Sequence, residues 1–296
     1  MIKSFFDKLN IEYIENASLK KYNTYRIDAS CSYLVFPKSI EELINILKEL
    51  DKEKIKHFVL GNGSNIILSM NHYDGVFIKL DKLNNVTYND NVVTAEAGCS
   101  LIKLSLETMN RGLSGLEFAS AIPGLVGAST AMNAGAYNSD MASVTKEVVA
   151  LDDKYNIVTL KNEELDFSYR DSFLKKNPSY IVLSTTFELS KGDTETMKEQ
   201  ALERKKKRIA SQPLEYPNAG SVFRNPENMY AGELIEKSNL KGYNINGAEV
   251  STKHANFIIN KGNATGKDIL NLIEKIKNEV KKNYQVDLKL EQIIIE

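Results

Sequence analysis

The rhythm of apolar and polar positions changes along this chain, and each rhythm predicts an element. Residues 32–36, Ser-Tyr-Leu-Val-Phe, form a short apolar run closed by Pro37, which reads as a strand. Ser39 and Glu42 then precede a helical apolar pattern reaching Leu50, so a capping box opens a helix. Residues 55–60 read as a buried strand broken by Gly61-Asn62-Gly63-Ser64-Asn65, and residues 75–80 as a further strand. A strand at 91–98 leads to a helix capped by Ser100 and running to about Arg111. Residues 112–136 are crowded with Gly, Ala and Ser, after which strands return at 148–152, 157–161 and 180–189.

A long polar helix over 194–210 runs into Gln212-Pro213, the clearest boundary. Beyond it the pattern predicts a short helix at 231–238 and a strand at 254–260. A helix capped by Thr265 and Asp268 follows, then a terminal strand at 287–295. The fold class is α+β, with lobes at 1–80 (completed by 285–296) and 81–200 and a smaller unit at 201–284.

Composition narrows the function. The 296 residues are 42% hydrophobic and 26% charged with a net charge of −1, so a sizeable core is expected and a general nucleic-acid binder is not. No stretch approaches the roughly 18 apolar residues that span a bilayer, so no membrane insertion is expected. The N-terminal segment is interrupted by charge too early for a signal peptide. Cys31 and Cys99 have no paired spacing, and His57, His72 and His254 are scattered, so no disulfide framework or metal site is implied. The chain reads as cytoplasmic and metal-free.

Four segments carry candidate chemistry. In Gly61-Asn62-Gly63-Ser64-Asn65, two glycines let successive N–H groups converge on an anion, and Ser64 and Asn65 add side-chain donors. The spacing is neither the dinucleotide fingerprint nor the P-loop, and a plain tight turn explains it equally. Of the 16 glycines, six (98, 112, 115, 124, 127 and 135) fall between 98 and 135. Small residues there let a cofactor lie against the backbone, though they also permit close packing. In Tyr169-Arg170-Asp171-Ser172 the arginine can clamp a carboxylate or simply face water. In Ala219-Gly220-Ser221 a serine follows a flexible glycine, without the nucleophile elbow of acyl transfer. The basic run Arg204 to Arg208 reads as a solvated helix face.

In order along the chain, these segments and Lys253-His254-Ala255-Asn256-Phe257-Ile258 resemble the UDP-N-acetylenolpyruvoylglucosamine reductases, from Asn23 to Glu291. The pattern is that of the short form without an extra tyrosine-bearing loop. The resemblance implies a two-lobed FAD-binding domain of the vanillyl-alcohol-oxidase type followed by a substrate domain. It implies that Gly61, Asn62, Gly63, Ser64 and Asn65 hold the FAD diphosphate, and that Pro123, Gly124, Gly127, Asn133, Ala134 and Gly135 line the flavin. Arg170, Ser221 and Glu291 fall on the family's catalytic positions, and Asn225, Lys253 and His254 on segments facing the UDP-sugar. FAD is expected to be non-covalent, NADPH the reductant, and the enzyme a monomer.

Five positions depart from the pattern: Asp28-Ala29 replaces a glycine pair, Ala128 and Asn138 each replace a glycine, and Gln292 replaces an aliphatic residue. Two other functions compete. A small-molecule oxidase of the same superfamily often tethers its flavin through His or Cys, and Cys99 is the only nearby candidate. A non-catalytic UDP-sugar binder has no need of Arg170, Ser221 and Glu291 together.

Overall fold

The computed structural model describes residues 2–296. By contact density the chain divides into two compact units. The first gathers residues 1–15, 33–61 and 75–206; the second gathers 16–32, 62–74 and 207–296. Both units are assembled from discontinuous segments.

In the first unit the helix Ile40–Lys52 forms as its pattern predicts. The Ser39 side chain accepts the Glu42 N–H at 3.1 Å, while the Glu42 carboxylate reaches back to the N–H of Lys38, one residue before the box position. Leu43, Ile46, Leu47 and Leu50 are fully buried on one face, each contributing about 1.5–3 kcal/mol relative to exposure. They pack with Val76, Ile78, Val148, Ala150 and Leu183 in one core cluster. His57–Leu60 lies parallel to the end of His72–Lys79, with Leu60 opposite Lys79. That pairing places the Gly61 loop directly after a half-buried strand whose last residue, Leu60, is buried.

A five-stranded antiparallel sheet follows in the same unit, ordered Ile157–Lys161, Thr145–Leu151, Ile181–Glu188, Val92–Glu96, Val86–Asn89. The helix Leu101–Asn110, capped by Ser100, and Phe118, Val126 and Met141 cover a second cluster against Val93, Ala95 and Phe187. The helix Thr194–Ser211 buries only Met197 and Ala201.

The second unit holds the antiparallel strands Asn244–Ile245, Ala248–Val250 and Ile258–Asn260. The helix Gly266–Tyr284 buries Ile269, Leu272, Ile273, Ile276 and Val280 and carries the expected Thr265–Asp268 capping box. A Cβ at Gly266 would fall 1.7 Å from the carbonyl oxygen of Leu68, so only glycine lets this helix start there. The terminal strand is shorter than its apolar pattern suggests. Only Ile293–Ile295 pairs in a ladder, parallel to Ile66–Leu68, because residues 289–292 are drawn into contacts with 219–224 instead.

Candidate active site

The loop after Leu60 is fastened mainly by its carbonyls. That of Gly61 accepts the buried Lys79 ammonium at 2.6 Å. That of Gly63 accepts the N–H and hydroxyl of Thr24 at 3.0 and 3.2 Å, and that of Asn65 accepts the N–H of Ile293 at 2.9 Å. Two glycines in the loop allow successive N–H groups to converge on an anion, so these residues fit a diphosphate. The glycines have an additional, internal cause. Gly63 sits at φ +65° with its would-be Cβ 2.0 Å from the Tyr22 carbonyl oxygen, and a Cβ at Gly61 would meet that of Ala128 at 2.9 Å.

Packing also accounts for the small-residue segment. A Cβ at Gly124 would lie 2.3 Å from the Ser129 hydroxyl oxygen, at Gly127 2.7 Å from the Ala97 Cβ, and at Gly135 2.6 Å from the Asp140 Cβ. Pro123 is exposed beside them, and Ala134 bonds back through its N–H to the Ser129 carbonyl at 2.9 Å. Asn133, buried at φ +42°, donates to Asp140 and to the Ser168 carbonyl and accepts the Ala142 N–H. Its side chain is therefore committed within the protein, and it ties the small-residue segment to the turn that carries Arg170.

That turn is tight. Ser168 and Asp171 exchange both backbone hydrogen bonds at 3.0 Å, and Arg170 adopts a left-handed φ of +57°, a conformation that costs energy for a residue with a Cβ. The Arg170 guanidinium donates to the carbonyls of Gly135 at 2.6 Å and Asn133 at 3.5 Å. Ser172 donates to the Ala131 carbonyl at 2.6 Å and accepts the Lys175 N–H, which makes it a cap. The basic run is partly engaged: the Arg204 guanidinium stands 5.0 Å from the Tyr137 ring, whose hydroxyl donates to the Arg204 carbonyl.

Ser221 and Glu291 both belong to the second unit, and backbone pairing brings their segments together. Glu291 donates its N–H to the Val222 carbonyl at 2.8 Å, Arg224 donates to the Lys289 carbonyl at 2.9 Å, and Phe223 bridges Leu290. The Asn65 amide donates to the Glu291 carbonyl at 3.3 Å, joining the glycine loop to the same place. Sequence reading missed the residue that fixes this segment, Asn256. Its side chain accepts the Phe223 N–H at 3.0 Å and donates to the Phe223 carbonyl at 2.8 Å, while its own carbonyl accepts the Val222 N–H. A buried asparagine in Lys-His-Ala-Asn-Phe was the available signal.

The expected sugar-facing residues have partners of their own. Asn225 accepts the N–H of Ala231 at the start of the Ala231–Lys237 helix. The Lys253 ammonium donates to the Ile209 carbonyl at 2.7 Å and stands 3.5 Å from Glu215. His254 accepts the Asn256 N–H, packs 4.8 Å from the Phe257 ring and is held below its ordinary pKa by burial, with Lys241 adding to the effect. Cys99 is buried and donates to the Asn85 carbonyl; burial pushes its thiol up to about 11, unlike a reactive thiolate.

Two family descriptions match the chain: "FAD binding domain" over residues 31–159 and "UDP-N-acetylenolpyruvoylglucosamine reductase, C-terminal domain" over residues 212–295. The UDP-N-acetylenolpyruvoylglucosamine reductase of Caldanaerobacter subterraneus subsp. tengcongensis is 45% identical over 92% of this chain and 90% of its own length. The chain belongs to that reductase family. The reductase of Clostridium novyi is 41% identical over 99% of this chain and 95% of its own. A crystal structure of the Thermus caldophilus reductase matches 97% of this chain and 99% of that one, with a TM-score of 0.81 at 31% identity. The α+β reading with a two-lobed FAD-binding domain holds, and FAD is the cofactor of the matched domain.

Within the family, the departures find local explanations. Tyr137 and Asn138 form a two-residue hairpin loop between Ala136 and Ser139 with φ +56° and +60°, the type I′ turn in which asparagine substitutes well for glycine. Ala29 keeps negative φ and is buried, with its carbonyl accepting the Leu19 N–H, so no glycine is required there. Ala128 lies in the helix Val126–Ala131.

Proposed function

We propose that the chain reduces UDP-N-acetylglucosamine enolpyruvate to UDP-N-acetylmuramate for peptidoglycan precursor synthesis, with FAD as cofactor and NADPH as reductant, acting as a cytoplasmic monomer. Family membership supports the reaction. The observation supporting the residue roles is the antiparallel bridge that lays the Ser221 segment along the Glu291 segment.

When bound, FAD supplies hydride transfer. The residues must then manage charge. Hydride addition to the terminal methylene of an enol ether bearing a carboxylate leaves an electron pair on the adjacent carbon, delocalised into that carboxylate. Arg170 supplies a planar, permanently charged fork for the carboxylate, and that guanidinium is already oriented by the carbonyls of Gly135 and Asn133. Glu291, in its protonated form, donates to the charge that grows in the transition state. The Ser221 hydroxyl gives its proton to the carbon, closing the C–H bond, and the oxygen is reprotonated from solvent. A serine is a weak acid, so proximity must compensate, which demands a well-fixed Ser221.

The test separates the two half-reactions by anaerobic stopped-flow absorbance. Ser221→Ala should retain FAD and its reduction by NADPH within a few-fold. Its reoxidation by the UDP-enolpyruvyl sugar should fall by ~10²–10⁴-fold or more. Equal slowing of both halves would make Ser221 a structural residue.

A further inference from the structure

We infer that Gln292 is a positioning residue for Ser221, with Tyr25 fixing the orientation of its amide; this rests on the proton-donor role proposed for Ser221. Gln292 follows Glu291 and is 4% exposed. Its Nε2 donates to the carbonyl of Ala219 at 3.0 Å and of Gly220 at 3.4 Å. Both are acceptors only, so the NH2 end must face them and Oε1 is left to accept. The Tyr25 hydroxyl donates to that oxygen at 3.1 Å. Tyr25 is fully buried, and burial pushes its phenol well above its usual range, so it remains a donor. The Asn260 amide holds the Tyr25 carbonyl at 2.8 Å, and Asn260 is itself buried.

The clamp acts beside a glycine with open space around it. Gly220 sits at φ +76°, and nothing lies within 4 Å of its would-be Cβ, so packing does not restrain it. Its carbonyl belongs to the peptide bond that carries the Ser221 nitrogen, and Gln292 holds that carbonyl and the one before it. On the far side, Asn256 and the Glu291 N–H hold residues 222 and 223. On the near side the Asn218 side chain also accepts the Gly220 N–H at 3.0 Å, so Ser221 is fixed from both directions, and Gln292 is the side chain that holds the Ala219 and Gly220 carbonyls. An aliphatic residue at 292 would lack the donor, so the clamp requires the amide.

Displacing a proton donor by about an ångström can cost ~10²-fold in rate, which sets the size expected. Gln292→Met keeps length and removes the amide. Tyr25→Phe removes only the hydroxyl. Both are prepared with FAD, and thermal midpoint and FAD content are measured alongside the two half-reactions in H2O and D2O.

Gln292→Met should slow reoxidation by the UDP-enolpyruvyl sugar about 10–100-fold and raise its solvent isotope effect, with NADPH reduction within about twofold. Tyr25→Phe should act in the same direction more weakly, and the double variant should be no slower than Gln292→Met, since Tyr25 works through Gln292. Equal slowing of both halves, or a lower thermal midpoint with normal reoxidation, overturns the inference. If Gln292→Met does not fold, Tyr25→Phe decides alone: selective slowing of reoxidation supports it, and no selectivity overturns it. A Ser221→Ala arm distinguishes the failures. Slow reoxidation there with normal Gln292→Met defeats Gln292 only; normal reoxidation in Ser221→Ala defeats the serine assignment and this inference with it.

Discussion

The guanidinium of Arg170 donates to the carbonyl of Gly135 at 2.6 Å while its own backbone occupies the left-handed region at φ +57°. A strained turn and a small-residue segment are thereby joined by the side chain expected to hold the substrate carboxylate. A non-glycine residue in this conformation is sustained only where its surroundings over-determine it, here by the Ser168–Asp171 bonds and the Asn133 bond to Ser168.

Arg170→Lys should therefore behave almost as badly as Arg170→Ala. A point charge cannot reproduce the fork, and kcat/KM for the UDP-sugar should fall at least ~10²-fold, about 3 kcal/mol of transition-state stabilisation. Steady-state kinetics with bound FAD measured in parallel check it; near-native turnover of the lysine variant would remove the clamp assignment.

Gly63→Ala and Gly220→Ala should differ in kind. Both place a Cβ in a left-handed backbone, at about 1–2 kcal/mol. At Gly63 the methyl also meets the Tyr22 carbonyl oxygen at 2.0 Å, whereas at Gly220 the space is open. Denaturant titration should show the larger loss at Gly63, accompanied by weaker FAD retention. A stable Gly63→Ala protein with normal FAD content would contradict the account of the loop.

Asn256→Leu should destabilise the second unit by about 1–3 kcal/mol for each Phe223 backbone group left unpaired. It should also slow substrate-driven reoxidation more than NADPH reduction, since the segment it releases carries Ser221. Urea unfolding and the two half-reaction rates read these effects separately.

His254 supplies a pH prediction. Its folded-state pKa lies below its ordinary 6.5, chiefly through burial. As pH falls below about 6.5, the unfolded chain takes up this proton before the folded one does, so stability declines until the folded value is passed. The unfolding midpoint should drop more steeply as pH falls below about 6.5 in the native protein than in His254→Asn, which keeps an acceptor for the Asn256 N–H. Parallel slopes in a pH series would exclude His254 as the cause.

What was legible in the sequence was what is local. Ser39, Ser100 and Thr265 announced three helices through caps that the structure contains. The ordered motifs identified the family and its FAD domain. What was hidden depends on partners distant in sequence. The second carbonyl-holding amide, Gln292, looked like a mere departure in a strand, and Asn256 like one residue of a motif. Their meaning lies in Ala219, Gly220 and Phe223, which no periodicity connects to them. The glycines were read as space for a cofactor or for close packing and tight turns, and Tyr22, Ser129, Ala97 and Asp140 of the chain itself already demand them.

The parallel pairing of Ile293–Ile295 with Ile66–Leu68 has a consequence for biosynthesis. Residues 16–32 and 62–74 leave the ribosome early, but their unit is completed by residues 207–296. Every segment of the first unit has been translated by residue 206, so its sheet and cores can form while synthesis continues. Of the early segments of the second unit, Ile66–Leu68 must wait for Ile293–Ile295 to complete its ladder. The segment carrying Ser221 consequently gains the backbone bond from Glu291 to Val222 only after residue 291 has been made.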